Sequence, residues 1–276
     1  MEVIEKKGMR KMDKSKNRIW ELDFLRGFAI LMMIFDHLMY DFMSFPAWFV
    51  NYSQRERPGM EALVDWAIRY WDSDLRSVGH WFFLILFFLV SGISFTFSRN
   101  NFQRGLRFVL FGALIFGVTA LGERLTGQPM TIFAGVIQMF ALSTLLTAIL
   151  RKIWDNDVFI LTMGTLSLII GFTAIRAGLP YSDRLTWENV LPVTLGLHQY
   201  GGDYFGLFPY AGFIMYGTVL GRVLYRNRLS LVPTWDGRWN APFTFVGRHS
   251  IWFFLIHQLV LFGILTAIGY ALGYHF

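Results

Sequence analysis

An all-α, polytopic transmembrane helix bundle of about seven spans, with a cytosolic N-terminus, is the fold class that three features of this sequence predict. Hydrophobic residues make up 54% of the 276 residues and charged residues only 16%, well below the roughly 25% charged content of soluble domains. Seven apolar runs, at about 19–43, 79–97, 105–122, 131–150, 157–176, 204–225 and 249–273, approach the roughly 20 residues needed to cross a hydrocarbon core. Basic residues gather on one side of those runs. They fill Lys6 to Arg18 and recur at Arg99, Arg104, Arg107, Arg151, Lys152 and between Arg222 and Arg248. By the positive-inside rule this side is cytosolic, and an odd number of spans then leaves the C-terminus outside.

The same composition narrows function. With no cysteine, disulfide and thiolate chemistry are excluded and the redox compartment cannot be inferred. The net charge of +6 is explained by membrane topology rather than by nucleic-acid binding. Little sequence remains for a soluble domain. The expected organisation is a basic cytosolic tail over 1–18, lacking a small-residue cleavage site, and one transmembrane domain over 19–276.

Between the first two spans, Met60 to Trp71 alternates Leu63, Ala67 and Tyr70 with Glu61, Asp65 and Arg69, which predicts a short helix lying at the interface. Ser91-Gly92 in the second span, and Gly217 and Gly221 in the sixth, are small residues that let helices approach closely. Phe205 to Pro209 predicts a kink or late start in the sixth span. Two outer segments, Ser44 to Val78 and Arg176 to Asp203 (with Trp187, His198 and Gly201-Gly202), are long enough to carry function.

The first span carries Asp23, Arg26, Asp36, His37 and Asp41. Ionisable groups inside a membrane are costly, so each is a functional candidate with a partner to be found. At 100° per residue, Asp23, Arg26, His37 and Asp41 fall within about 60° of one face, while Asp36 points about 100° away from His37. Arg26 and His37 lie about 16 Å apart along the axis. This polar seam is the pattern of a path for chemistry or transport through a bilayer.

His37 is the leading general-base candidate, because Asp41 at i+4 is placed to orient the imidazole. Arg26 is a permanent cation suited to a phosphate or a thioester carbonyl, or it simply pairs with Asp23 at i−3. His80 opens the second span beside Trp81, where an interfacial histidine needs no function. His257 and Gln258 lie near mid-membrane in the last span, a costly depth for an idle imidazole. Arg248, His249 and Ser250 open that span among cations, a setting suited to an anion. No HExxH or CxxC spacing occurs, and no metal is expected.

Leu22 to Ile30 (LDFLRGFAI) followed by His37 resembles the first-helix signature of the transmembrane acyltransferase superfamily, including the Arg-x10-His spacing of its acyltransferase-3 branch, here Arg26 to His37. Phe87 to Ser94, Phe208 to Gly212 before Gly217, and Gly247-Arg248-His249-Ser250 running to His257-Gln258 extend the likeness. Together they resemble the bacterial relatives of the heparan-α-glucosaminide N-acetyltransferase catalytic domain. The resemblance implies acyl transfer from cytosolic acetyl-CoA to a hydroxyl or amine of an extracytoplasmic sugar or glycan, in a bacterial cytoplasmic membrane. The family's membrane histidine would map to His37, with His80 as the alternative base, and its arginine to Arg26. The residues themselves add Asp41 and His257 to the catalytic candidates, and Asp23, Arg248, His249, Ser250 and Gln258 to Arg26 as candidates for binding acetyl-CoA. Direct transfer and an acetyl-imidazole intermediate are both open on this reading. Related membrane enzymes are often dimers, and a homodimer is admitted on the same footing. The competing reading is a transporter or flippase of a small polar or lipid-linked substrate, which would also need a charged seam but for which no inverted repeat is visible.

Overall fold

The computed structural model describes residues 18–127, 130–201 and 203–276. Most of the expected basic tail, and Gly202 of the second outer segment, lie outside the described residues. The described chain is mostly helical: α1 (Trp20–Trp48), α2 (Pro58–Trp71), α3 (Asp74–Phe95), α4 (Asn101–Thr126), α5 (Val136–Ile153), α6 (Asp157–Ala177), α7 (Val190–Leu195), α8 (Tyr210–Leu224), α9 (Ala241–Arg248) and α10 (Ser250–Ala271). Among the described residues five helices, α3, α4, α5, α6 and α10, are long and apolar enough to cross a membrane, and α8 is a shorter apolar helix. This is a multi-pass membrane architecture.

Local chemistry sets the helix ends. Pro58 starts α2, where a missing N–H costs nothing, and Glu61 accepts the Arg57 backbone N–H at 3.0 Å. The Asn100 side chain accepts from the Gln103 N–H at the start of α4, and Gly127 closes that helix in the left-handed region at φ 71°. Asn156 caps α6 by accepting from the N–H groups of Val158 and Phe159. The sixth apolar run starts late, at Tyr210 directly after Pro209.

Two features were not visible in the periodicity. The second outer segment contains α7 and a two-residue parallel pair, β1 (Tyr181–Ser182) with β2 (Gln199–Tyr200), in register Tyr181 to Gln199. The Ser182 hydroxyl and His198 Nε2 join beside it at 2.7 Å. The last apolar run is preceded by a separate helix, α9, so Arg248 ends one helix, His249 stands between two, and Ser250 begins the next.

The chain divides into two compact units, one of residues up to Phe87 together with Arg228–Phe276, the other of Phe88–Asn227. In the first unit α1 and α9 cross backbone to backbone. A Cβ added at Gly27 would overlap the Phe243 carbonyl, and one at Gly247 would overlap the Asp23 carbonyl. Phe45, Phe49, Met60, Val64, Leu265 and Tyr274 form the core at the far end of α1. Glu21 fastens the chain near α9 by accepting the Leu231 N–H at 2.7 Å.

In the second unit α3 and α8 meet through small residues, since a Cβ at Gly92 would come within 2.8 Å of Gly217 Cα; the sequence indicated this approach. Ile160, Leu207, Ala211, Met215 and Val219 pack α6 against α8. An ion-pair network joins the ends of α5, α6 and α8. Arg151 bridges Asp155 and Asp157, each at 2.9 Å, and donates to the Thr218 hydroxyl at 2.8 Å, while Arg222 pairs with the same two carboxylates. The hydrogen bond from Arg222, reinforced by Arg151, holds the Asp155 carboxyl below the usual carboxylate range.

Gly27→Ala is expected to destabilise the protein at or above the upper end of the ~1–3 kcal/mol typical of overpacking, because the obstacle is backbone rather than a side chain able to move. Gly117→Ala in α4, whose added Cβ meets nothing within 4 Å, is expected to be neutral or mildly stabilising. Thermal unfolding in detergent compares the two.

Candidate functional site

Helix α1 displays its ionisable side chains at two levels. At the first, Asp23 is the hub of three guanidinium groups. Arg26 Nη1 lies 3.3 Å from Oδ1, Arg248 Nε 3.4 Å from Oδ2, and Arg18 Nη1 3.8 Å from Oδ2. Arg26 also donates to the Gly247 carbonyl at 3.4 Å, so the α1–α9 crossing and the cluster are one structure. Three cations around a single carboxylate leave an excess of positive charge, which suits an anionic group.

One further level along α1, the rings of His37 and His257 meet edge to face, with centroids 4.9 Å apart and planes at 78°. His37 Nδ1 is 2.9 Å from the Met33 carbonyl. His257 Nδ1 is 2.8 Å from the Phe254 carbonyl and 3.1 Å from that of Phe253. A carbonyl only accepts, so in the neutral rings the proton sits on Nδ1 and Nε2 carries the lone pair. His257 Nε2 is buried, with no hydrogen-bond partner among the described residues.

Asp41 is 1% exposed, and it does not orient the His37 ring as the i+4 spacing suggested. The Gln258 amide donates to both Asp41 oxygens, at 2.8 and 3.1 Å. The reason is side-chain direction. A helical side chain leans toward the N-terminus of its helix, which carries His37 to Met33 and away from Asp41. Gln258 thereby belongs to the histidine level and not to the arginine cluster.

Asp36 leaves α1 on another face, and its partners come from α2 and α3. Arg76 Nε donates to Oδ1 at 3.1 Å and Nη2 to Oδ2 at 2.9 Å, Tyr70 Oη donates to Oδ1 at 3.1 Å, and His80 Nδ1 lies 3.4 Å from Oδ2. The Arg76 guanidinium stacks over the Trp71 ring at 3.8 Å. Burial, and then the Asp36 carboxylate, push the Tyr70 hydroxyl up to about 12. Tyr70 falls in the interfacial helix expected from the sequence, and neither it nor Arg76 stands among the site candidates there. The available signal was that Arg76 lies one helical turn before His80, so both can reach a carboxylate that points away from the seam.

His249 is exposed, with Nδ1 2.9 Å from the Phe245 carbonyl and its ring 4.6 Å from that of Phe245; Ser250 opens α10 beside it. Among the described residues no group of three or more His, Cys, Asp or Glu side chains is arranged to hold a metal ion.

Residues 18–57 and 60–259 match the family model described as heparan-alpha-glucosaminide N-acetyltransferase, catalytic. That span takes in each residue of the arginine cluster, the histidine pair and the Asp36 cluster. No curated protein and no solved structure matches the chain.

Removing the Asp36 charge is expected to lower the Tyr70 ionisation from about 12, because the carboxylate favours the neutral phenol and Arg76 favours the phenolate. Phenolate absorbance of Asp36→Asn, taken as a difference against Asp36→Asn/Tyr70→Phe, measures the shift; an unchanged titration would mean that burial alone sets it.

Proposed function

The chain belongs to the heparan-α-glucosaminide N-acetyltransferase catalytic family, and on that premise we propose that it is an integral membrane enzyme moving an acetyl group from cytosolic acetyl-CoA to a hydroxyl or amine of an extracytoplasmic sugar or glycan. In this reading α1 and α8 join the five long apolar helices to make seven spans, with the N-terminus in the cytosol of a bacterial cell. The His37–His257 pair carries the proposal. Two imidazoles, each held through Nδ1 by its own helix, leave their Nε2 lone pairs free of those carbonyls at one level of the bundle.

The chemistry follows from those atoms. The acceptor O–H or N–H attacks the thioester carbonyl carbon as a histidine Nε2 takes its proton. The C–S bond then breaks, the new ester or amide forms, and the imidazolium returns the proton to the departing CoA thiolate. His37 is the base in this scheme and His257, ring against ring, shares the site. Asp41 and Gln258 tie α1 to α10 and so hold the two rings in contact.

The residues present fit the donor at the other end of the path. Arg18, Arg26 and Arg248 outnumber Asp23 three to one, a balance suited to the phosphates of a coenzyme A thioester. Arg26 lies roughly 16 Å below His37 along α1, a separation that a pantetheine arm bridges. His80, held in the Asp36 cluster, is the alternative base.

His37→Ala and His257→Ala are expected to lower acetyl transfer by about a hundredfold or more, with acetyl-CoA binding retained. Arg26→Ala is expected to weaken acetyl-CoA binding, read by calorimetry on protein in detergent. Full transfer activity in His37→Ala together with loss in His80→Ala would move the base to the Asp36–His80 pair. A folded protein that binds no CoA thioester, yet moves a sugar across vesicles, would replace this reading with a transporter.

A further inference from the structure

The second unit carries a polar cleft of about 250 Å³ lined by Ser98, Arg99, Asn100, Gln103, Arg104 and Arg107, which shares no residue with the arginine cluster, the histidine pair or the Asp36 cluster. Three guanidinium groups line it. Arg104 lies over the Phe108 ring at 5.7 Å. Arg99 and Arg107 have no ion-pair partner among the described residues, in contrast to Arg151 and Arg222 of the same unit, which are each matched to two carboxylates. A cleft with this excess of cations selects an anion.

What lies beyond the cleft identifies the kind of anion. From Gln103 and Arg107, the same face of α4 continues through Leu110, Leu114, Val118 and Leu121, at steps of three and four residues. These side chains are 71%, 62%, 62% and 57% exposed. Leu110 to Leu121 spans about 16 Å of helix, roughly half the ~30 Å hydrocarbon core. One face of one helix therefore offers a cationic cleft at its end and an uncovered apolar stripe one leaflet long above it. A soluble phosphate would use only the first.

We propose that this face of α4 is a binding site for an anionic phospholipid, with its phosphodiester in the Arg99–Arg104–Arg107 cleft and an acyl chain along Leu110, Leu114 and Val118. Ordinary positive-inside charge would not require the arginines to share a cleft, or the apolar stripe to begin at that cleft. The site is independent of the acyl-transfer reading and survives its failure.

Native mass spectrometry of the full chain in detergent tests the site, titrating phosphatidylglycerol and phosphatidylcholine with identical chains. Wild type is expected to retain phosphatidylglycerol preferentially, and Arg99→Gln/Arg107→Gln to bind it about 30-fold more weakly, at roughly a fivefold loss per cation, with phosphatidylcholine unchanged. Leu110→Ala/Leu114→Ala is expected to weaken both lipids while keeping the preference. Equal retention of the two lipids by wild type would overturn the proposal, whether or not the arginine variant folds. So would displacement of phosphatidylglycerol by millimolar inorganic phosphate, which would make the cleft a site for a free phosphate.

Discussion

The backbone contact between Gly27 of α1 and Gly247 of α9 is the constraint on which the candidate site depends. No side chain separates the two helices there, and the Asp23 and Phe243 carbonyls occupy the space a methyl group would need. That closeness brings Arg248 to Asp23 and lets Arg26 reach the Gly247 carbonyl. It also sets a register. His37 follows Gly27 by ten residues and His257 follows Gly247 by ten, so two chains running in the same direction from one crossing carry their imidazoles to the same level. The break at His249 does not disturb this, and the rings meet at 4.9 Å.

Each charge on α1 is answered in a different way, and the differences follow from where its partner sits. Asp23, near the start of the helix, draws on Arg26 of α1, on Arg18 two residues before α1 and on Arg248 of α9. Asp36 is held by four donor atoms on three residues of α2 and α3, including a guanidinium that covers both of its oxygens. Asp41, the most deeply buried of the three, receives only a neutral amide. Leaving any of these carboxylates unpartnered in an apolar interior would be costly, so the three clusters also join elements far apart in sequence: α1 to α9, α1 to the α2–α3 pair, and α1 to α10.

Helical geometry made part of this legible in the sequence. The 100° rule separated Asp36 from the seam and left it needing a partner elsewhere, and small residues marked Gly92 and Gly217 as a close approach. The same rule failed at His37 and Asp41. Spacing at i+4 says that two side chains share a face, but not that they point at each other, and the N-terminal lean of helical side chains sends His37 to a backbone carbonyl instead. The pairings of Arg76 with Asp36 and Gln258 with Asp41 were out of reach for a different reason. They join residues 40 and 217 positions apart, and nothing in a local pattern encodes such a distance. Helix α9 was missed because its eight residues lie in the basic stretch before the last apolar run, which read as a cytosolic connection between spans.

Asp36 and His37 together fix the rotation of α1. They are consecutive, so their side chains leave the helix about 100° apart, one toward Arg76 and His80, the other toward His257. A turn of α1 large enough to release either contact would break the other, and the Asp41–Gln258 bond one turn further on opposes the same motion. The imidazole of His37 is therefore held by its own backbone through Nδ1 and by the orientation of the entire helix through its neighbours. On the proposed reading His37 needs this kind of placement, since proton transfer falls off with small errors in distance and angle. The same reading gives Asp36 a positioning role that does not require it to touch a substrate. By anchoring one face of α1 it holds the neighbouring face, with His37, in place.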